Sequence, residues 1–156
     1  SEEPFLKALR SVSELKLRAS YGLAGNNAFT SNYPAIGLLG PDNYVFGNAL
    51  VNGLAVNTIG NDNLTWEKSR QLDVGFDLGL LNNRVYFTAD YYRRLTTDLL
   101  LAVQVPTLTG FSSAVQNIGR VENQGFEFAL NTRNLTGDFQ WTTDLNLSIN
   151  RNKVLA

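Results

Sequence analysis

Along residues 15–21, 72–80, 85–91, 126–130 and 139–149, apolar and polar side chains alternate with period two. One parity of these five segments holds 22 positions, and only Thr143 among them is not apolar. The seven charges inside the segments, Lys16, Arg18, Asp73, Asp77, Asp90, Glu127 and Asp144, all fall on the other parity. Successive side chains of a strand point to opposite faces. The pattern therefore predicts an all-β, antiparallel sheet of about five strands with one apolar face and one wet face.

The connections alternate in length. Leu81-Asn82-Asn83-Arg84 predicts a tight hairpin, since Asn tolerates the positive φ of a type I′ turn. Pairing Leu80 with Val85 sets Gly75 opposite Asp90 and keeps every apolar side chain beside an apolar neighbour. A second short turn over 134–138 joins Leu130 to Phe139, in a register that a two-residue slip would leave on the same face. About forty residues, rich in Gly, Asn and Thr, separate the first strand from the second, and more than twenty separate Tyr92 from Asn117. These read as long irregular loops on one rim. A short helical turn is expected within 4–13 at the other rim.

Either a second sheet or lipid could cover the apolar face. Transmembrane barrel strands need about 9–11 residues, short turns at one end, longer loops at the other and aromatic girdles at both interfaces. Segments 70–80, 84–94 and 139–149 have that length. Tyr21 and Tyr91 end strands at the long-loop side, and Phe87, Phe139 and Trp141 sit near the short-turn side. The alternative is a soluble β-sandwich carbohydrate-binding or adhesin module, whose strands are shorter and whose loops are comparable at both ends.

Composition narrows the chemistry. A net charge of −1 gives no electrostatic case for nucleic acid as a partner. With neither Cys nor His, disulfides, imidazole or thiolate metal sites and His-activated nucleophiles are excluded. Asp73 and Asp77 stand four strand positions, about 13 Å, apart, too far for a glycosidase pair, and Glu122 and Glu127 have opposite parity. The carboxylates read as solvated charges, no calcium-loop spacing surrounds Asp42 or residues 60–63, and neither an enzyme nor a cofactor is expected. The chain opens at Ser1 without a signal peptide and reads as a piece of a longer protein.

The stretches LKLRASYGLAGNN (15–27), NLTWEKSRQLDVGFDLGLLNNRVYFTADYYRRLTTDLLL (63–101) and TGFSSAVQNIGRVENQGFEFAL (109–130) resemble the SusC/RagA family of TonB-linked outer-membrane transporters. The resemblance spans nearly the whole chain. It implies that residues 1–156 are a partial barrel domain, about five strands of a 22-stranded barrel, in the outer membrane of a Gram-negative bacterium of the Bacteroidota. The implied partners are outer-membrane lipid and lipopolysaccharide, a SusD-like lipoprotein lid, TonB through a missing N-terminal part, and an oligosaccharide or peptide substrate.

Three groups of candidate contact residues follow. Asn117, Gly119, Asn123, Gly125 and Glu127 share the lumen-facing parity, where small and amide side chains leave room for a plug or for plain polar filling. Lys68, Arg70, Arg93 and Arg120 form a positive band beyond the apolar run, suited to lipopolysaccharide phosphates. Phe29, Tyr33, Tyr44 and Phe46 in loop 22–62 suit either sugar stacking and lid docking or anchoring of the loop on itself.

Overall fold

The computed structural model describes residues 11–27 and 32–155. They form nine strands: β1 (Val12–Asn26), β2 (Leu39–Phe46), β3 (Ala49–Val56), β4 (Glu67–Leu80), β5 (Val85–Thr97), β6 (Leu100–Gln104), β7 (Ser113–Asn117), β8 (Arg120–Thr136) and β9 (Gln140–Leu155). A single 3-10 turn, Thr107–Thr109, interrupts the chain between β6 and β7. Five strands make one sheet in the order β1-β4-β5-β8-β9, while β2 with β3 and β6 with β7 make sheets of their own. Two compact units result. The first comprises the described residues of Ser1–Leu23, Arg70–Leu95 and Val121–Leu155, and the second those of Ala24–Ser69 and Thr96–Arg120.

In the first unit the predicted hairpin is present. Leu81, Asn82 and Asn83 have φ of 53°, 56° and 60°, and the Arg84 N–H donates to the Leu81 carbonyl at 3.3 Å. Positive φ was expected at the two asparagines; Leu81 shares it, although a side chain with a Cβ gains nothing there. Arg84 also ties this turn to the end of β8, donating from its side chain to the Asn134 carbonyl at 3.1 Å and accepting the Arg133 N–H at 2.8 Å. The register left open beyond Leu130 is settled by side chains: Asn131 faces Asp144, Gly125 faces Asn150 and Asn123 faces Asn152. Each two-residue step forward on β8 meets a two-residue step back on β9, as an antiparallel ladder requires.

Apart from Phe139, which lies in the turn before β9, the five predicted segments fall in these five strands, but the strands are longer, 13 to 17 residues against 5 to 11. Alternating hydrophobicity marks the apolar band only, whereas the hydrogen-bonded ladder continues past it into polar sequence. The second short turn accordingly shrinks to 137–139, because Asn134 to Thr136 already belong to β8. Of the helical turn expected over 4–13, Val12 and Ser13 lie in β1, and 4–10 fall outside the described residues.

In the second unit the long connections are not irregular. β2 pairs antiparallel with β3 from Leu39↔Val56 to Phe46↔Ala49, around Gly47 at φ 63°. β6 pairs with β7 from Leu100↔Asn117 to Gln104↔Ser113. The Glu67 carboxylate receives the Leu100 N–H at 3.1 Å and the Asn26 amide at 2.9 Å. Asp98, itself at φ 58°, accepts a hydrogen bond from Lys68 at 2.9 Å.

Burial in the large sheet runs opposite to that of a soluble protein. Along β4 the buried residues are Gly75, Asp77 and Gly79, all on the polar parity, whereas Leu72 and Val74 on the apolar parity are exposed. On the apolar face an aromatic row crosses β4, β5 and β8: Phe76 to Phe87 at 5.8 Å, Phe87 to Phe128 at 6.3 Å, Phe128 to Phe126 at 6.2 Å and Phe126 to Tyr91 at 5.0 Å between ring centroids. Such pairs contribute about 0.5–1.5 kcal/mol each beyond the area they bury. Tyr21, Leu145, Leu147 and Ile149 on the same parity are more than half exposed. Among the described residues the one apolar side chain that is buried is Ala114.

A sheet of this kind has no core of its own to hold it in water. Residues 1–156 produced alone in detergent-free buffer are expected to aggregate, through the bare apolar face and the open ladder edges of β1 and β9. Analytical ultracentrifugation with a thermal melt checks this. A monodisperse monomer that unfolds cooperatively is the contrary result and would favour a sandwich.

Candidate lumen-facing site

The polar face of the first unit is organised by Arg18 of β1. Its guanidinium donates to the Asp77 carboxylate of β4 at 3.0 Å and to the Asp90 carboxylate of β5 at 3.1 Å. Asp77 also accepts the Thr88 hydroxyl at 3.1 Å and is only 7% exposed. The sequence reading of this carboxylate as a solvated charge is therefore corrected. Asp77 is held between Arg18 and Thr88 because its two neighbours of like parity, Gly75 and Gly79, carry no side chains to keep theirs away. At Gly75 a Cβ would collide with the Asp90 carboxylate and come within 3.0 Å of the Ala89 carbonyl. Glycine at this place is what lets Asp90 lean across β4 toward Arg18.

A second relay crosses the same strands. The Ser20 hydroxyl donates to Asp73 at 3.2 Å, and the Gln71 amide donates to both Asp73 oxygens at 3.0 and 3.1 Å. With its nitrogen so engaged, Gln71 turns its oxygen to Arg94, which donates from Nε at 2.8 Å. The chain of bonds orients the Arg94 guanidinium without neutralising it.

On β8 and β9 glycine again admits a neighbour. The Tyr92 ring lies over Gly125 and its hydroxyl donates to Asn150 Oδ1 at 2.9 Å, so a side chain from β5 spans β8 to reach β9. A Cβ at Gly125 would stand 2.9 Å from Tyr92 Cε1 and 2.6 Å from the Ile149 carbonyl. Asn123 accepts a bond from Asn152 one step away. Of these groups Tyr92 and Asn123, with Glu127, line a groove of about 740 Å³ that also contains Arg18, Gln71, Asp73, Asp90 and Arg94.

Asn123, Gly125 and Glu127 thus share the polar face as their spacing predicts, whereas Asn117 and Gly119 lie outside β8. Asn117 ends β7, and Gly119, at φ 86°, turns the chain before β8 begins at Arg120. That positive φ breaks the strand alternation. Asn117 instead secures the second unit from within, donating to the Thr65 and Asp98 carbonyls at 2.6 and 2.8 Å and accepting the Thr65 N–H at 2.8 Å.

Of the positive band, Arg93 is engaged by Glu122 at 3.0 Å from its Nε, and Lys68 by Asp98. Arg70 has no ion partner among the described residues, while Arg120 makes contacts within the chain. Tyr91 on the same side donates to Gln124 at 3.2 Å, marking where the aromatic row gives way to polar groups. In the second unit Tyr33, Tyr44 and Phe46 are exposed at 61%, 66% and 75%. Phe29 lies outside the described residues.

The family model described as "TonB dependent receptor-like, beta-barrel" matches residues 10–153. The chain is 43% identical over 156 residues to TonB-dependent receptor P3 of Formosa agariphila, covering 99% of this chain and 16% of that protein. It is 36% identical to TonB-dependent receptor SusC of Bacteroides thetaiotaomicron, covering 98% of this chain and again 16% of the relative. Among solved structures it superposes on the RagAB peptide importer in its open-open state with a TM-score of 0.83 and 32% identity, over 98% of this chain and 16% of that one. The chain therefore spans about a sixth of the length of these relatives.

Removing the central cation while keeping its stem isolates its contribution. Arg18→Met leaves Asp77 buried without its counter-charge and is expected to destabilise by about 1–3 kcal/mol, the cost of a buried polar group that loses a charged partner. Adding Asp77→Asn should return part of that loss. Urea titrations of the protein folded in lipid vesicles measure both; equal midpoints for all three would show that Arg18 is dispensable. Gly125→Ala, which drives a methyl into the Ile149 carbonyl and the Tyr92 ring, is expected to lower the midpoint by a similar amount.

Proposed function

We propose that this chain, which belongs to the TonB-dependent receptor-like β-barrel family, forms part of the barrel wall of an outer-membrane nutrient importer of the SusC/RagA type. TonB-dependent receptors are transporters, and the chain's share of that task is structural. Its apolar face meets lipid, its polar face lines the passage, and the long connections form the hairpins of the second unit. The observation that carries this reading is the inverted burial along β4, with Asp77 covered and Leu72 and Val74 exposed, as is Phe126 on the apolar face of β8. A soluble sandwich would cover the opposite face.

The finer parts of the proposal rest on the relatives. Oligosaccharides or peptides are the cargo, a SusD-like lipoprotein closes the outer mouth, and TonB supplies energy through a part of the protein beyond this chain. Asn123, Gly125 and Glu127 face whatever fills the lumen. Exposed Tyr33, Tyr44 and Phe46 are available to lid or cargo. Arg70, Arg93 and Arg120 meet the phosphates of the outer leaflet, with Arg70 the strongest candidate because Glu122 already engages Arg93.

Lipid exposure is tested by charge. Phe76→Arg and Leu78→Arg in the full-length protein should each cost about 2–4 kcal/mol of folding stability in phospholipid bilayers, as for Arg near a bilayer midplane. Arg at Thr142, on the polar parity, should cost little. Equal losses at all three positions would count decisively against the assigned face.

The rim is tested separately. Substituting Arg70, Arg93 and Arg120 together by Gln should lower thermal stability more in lipopolysaccharide-containing bilayers than in phospholipid alone. An identical gap in both membranes would sink the phosphate contact and leave the barrel assignment intact.

A further inference from the structure

The groove on the polar face holds one cation and one anion that its own hydrogen bonds do not use up. Arg94 is fixed through Nε by Gln71, itself fixed by Asp73 and Ser20, and none of its terminal nitrogens meets an acceptor among the described residues. Glu127, exposed and lining the same groove, has no hydrogen-bond or ion partner among them. Of the other charges there, Asp90 is ion-paired with Arg18, and both oxygens of Asp73 are taken up by hydrogen bonds from Gln71 and Ser20. A guanidinium oriented by a neutral amide and left free at its fork is a ready receptor for a carboxylate. Arg94 lies nine residues, about 30 Å, up β5 from the hairpin turn. With barrel strands tilted by about 35–45° this is a rise of about 21–25 Å, close to the full height of the apolar band, and places it toward the mouth on the long-connection side.

Along β8, Asn123 stands beside Arg94 in the groove, and Glu127 is four residues, about 13 Å, further down. A ligand that satisfies both groups carries a carboxylate and an amine at roughly that separation, which an extended peptide of about four residues spans. Neutral sugars would leave both charges unanswered. The one aromatic on this face of the groove's β5 segment, Tyr92, is laid over Gly125 with its hydroxyl committed to Asn150, so it offers no free platform for stacking on a pyranose.

We infer that this groove is a peptide subsite, in which Arg94 binds the carboxylate end and Glu127 the ammonium end of a short zwitterionic peptide. The inference rests on the importer reading and narrows its cargo to peptides.

The test uses the full-length protein in lipid nanodiscs and calorimetric titration with a mixed-sequence tetrapeptide, its C-terminally amidated form, its N-acetylated form and a neutral malto-oligosaccharide. Arg94→Gln is expected to weaken the free-acid peptide about tenfold and to leave the amidated peptide unchanged. Glu127→Gln should weaken the free-amine peptide about tenfold and spare the acetylated one. Loss of affinity that ignores which end is blocked, or no loss at all, overturns the subsite. So does binding of the oligosaccharide in place of every peptide. Uptake by cells separates the two levels: if wild-type cells import peptide and the Arg94→Gln cells import it equally well, only the subsite fails. If a deletion strain loses no uptake of peptide or glycan, the importer reading itself fails.

Discussion

On the barrel-wall reading proposed above, the structure depends on one constraint: inside hydrocarbon no water is available to the backbone, so each peptide group of a strand must find its partner on a neighbouring strand. Side chains are then freed from the duty of making a core. In the large sheet, strands of 13 to 17 residues keep their ladder well beyond the apolar run, and the apolar side chains point away from the protein's own interior. What remains for the inward face is polar, and it has to be packed as carefully as an ordinary core because it is the covered side.

That packing is made with glycine. Gly75 leaves the space into which Asp90 leans, and Gly125 leaves the space under Tyr92. In a soluble core a glycine in mid-strand loses packing and adds entropy to the unfolded state. Here it lets one long polar side chain span two strands, so that Arg18 joins β1, β4 and β5 and Tyr92 joins β5, β8 and β9. Rows of such cross-strand bonds resist the two-residue slip that alternating sequence alone permits. Glycine and charge therefore act together, the first providing room and the second direction.

Much of this was legible because charge is a sharp reporter of parity. Seven charges on one parity predicted which face is which, and the asparagines of 81–84 predicted the hairpin and the facing of Gly75 and Asp90. Where charge is missing, the reading fell short. β2 and β3 hold one charge, Asp42, and place apolar residues on both parities, so periodicity gave no signal. The two-residue Gly47-Asn48 loop between apolar runs was the available clue to that hairpin. β6 and β7 are five residues each, too short for a period to show. Parity also assumes an unbroken strand, and the positive φ of Gly119 means that alternation in β8 does not carry back to Asn117. The burial of Asp77 was invisible for another reason: exposure depends on what neighbouring strands lay across a residue, and local alternation does not contain that.

The same logic separates groups that hold the wall from groups left over. A charge on the covered face is costly unless it is paired or hydrogen-bonded, and three carboxylates here are provided for within the sheet: Asp77 and Asp90 by ion pairs with Arg18, Asp73 by hydrogen bonds from Ser20 and Gln71. Removing these from consideration leaves Arg94, which the sheet orients but does not neutralise, and Glu127. Orientation without neutralisation gives the wall no net electrostatic gain, since the Gln71 oxygen could equally accept a neutral donor. A structural role accounts for the position of the Arg94 guanidinium but leaves its terminal nitrogens unused, and these are what a carboxylate arriving from outside this sheet would meet.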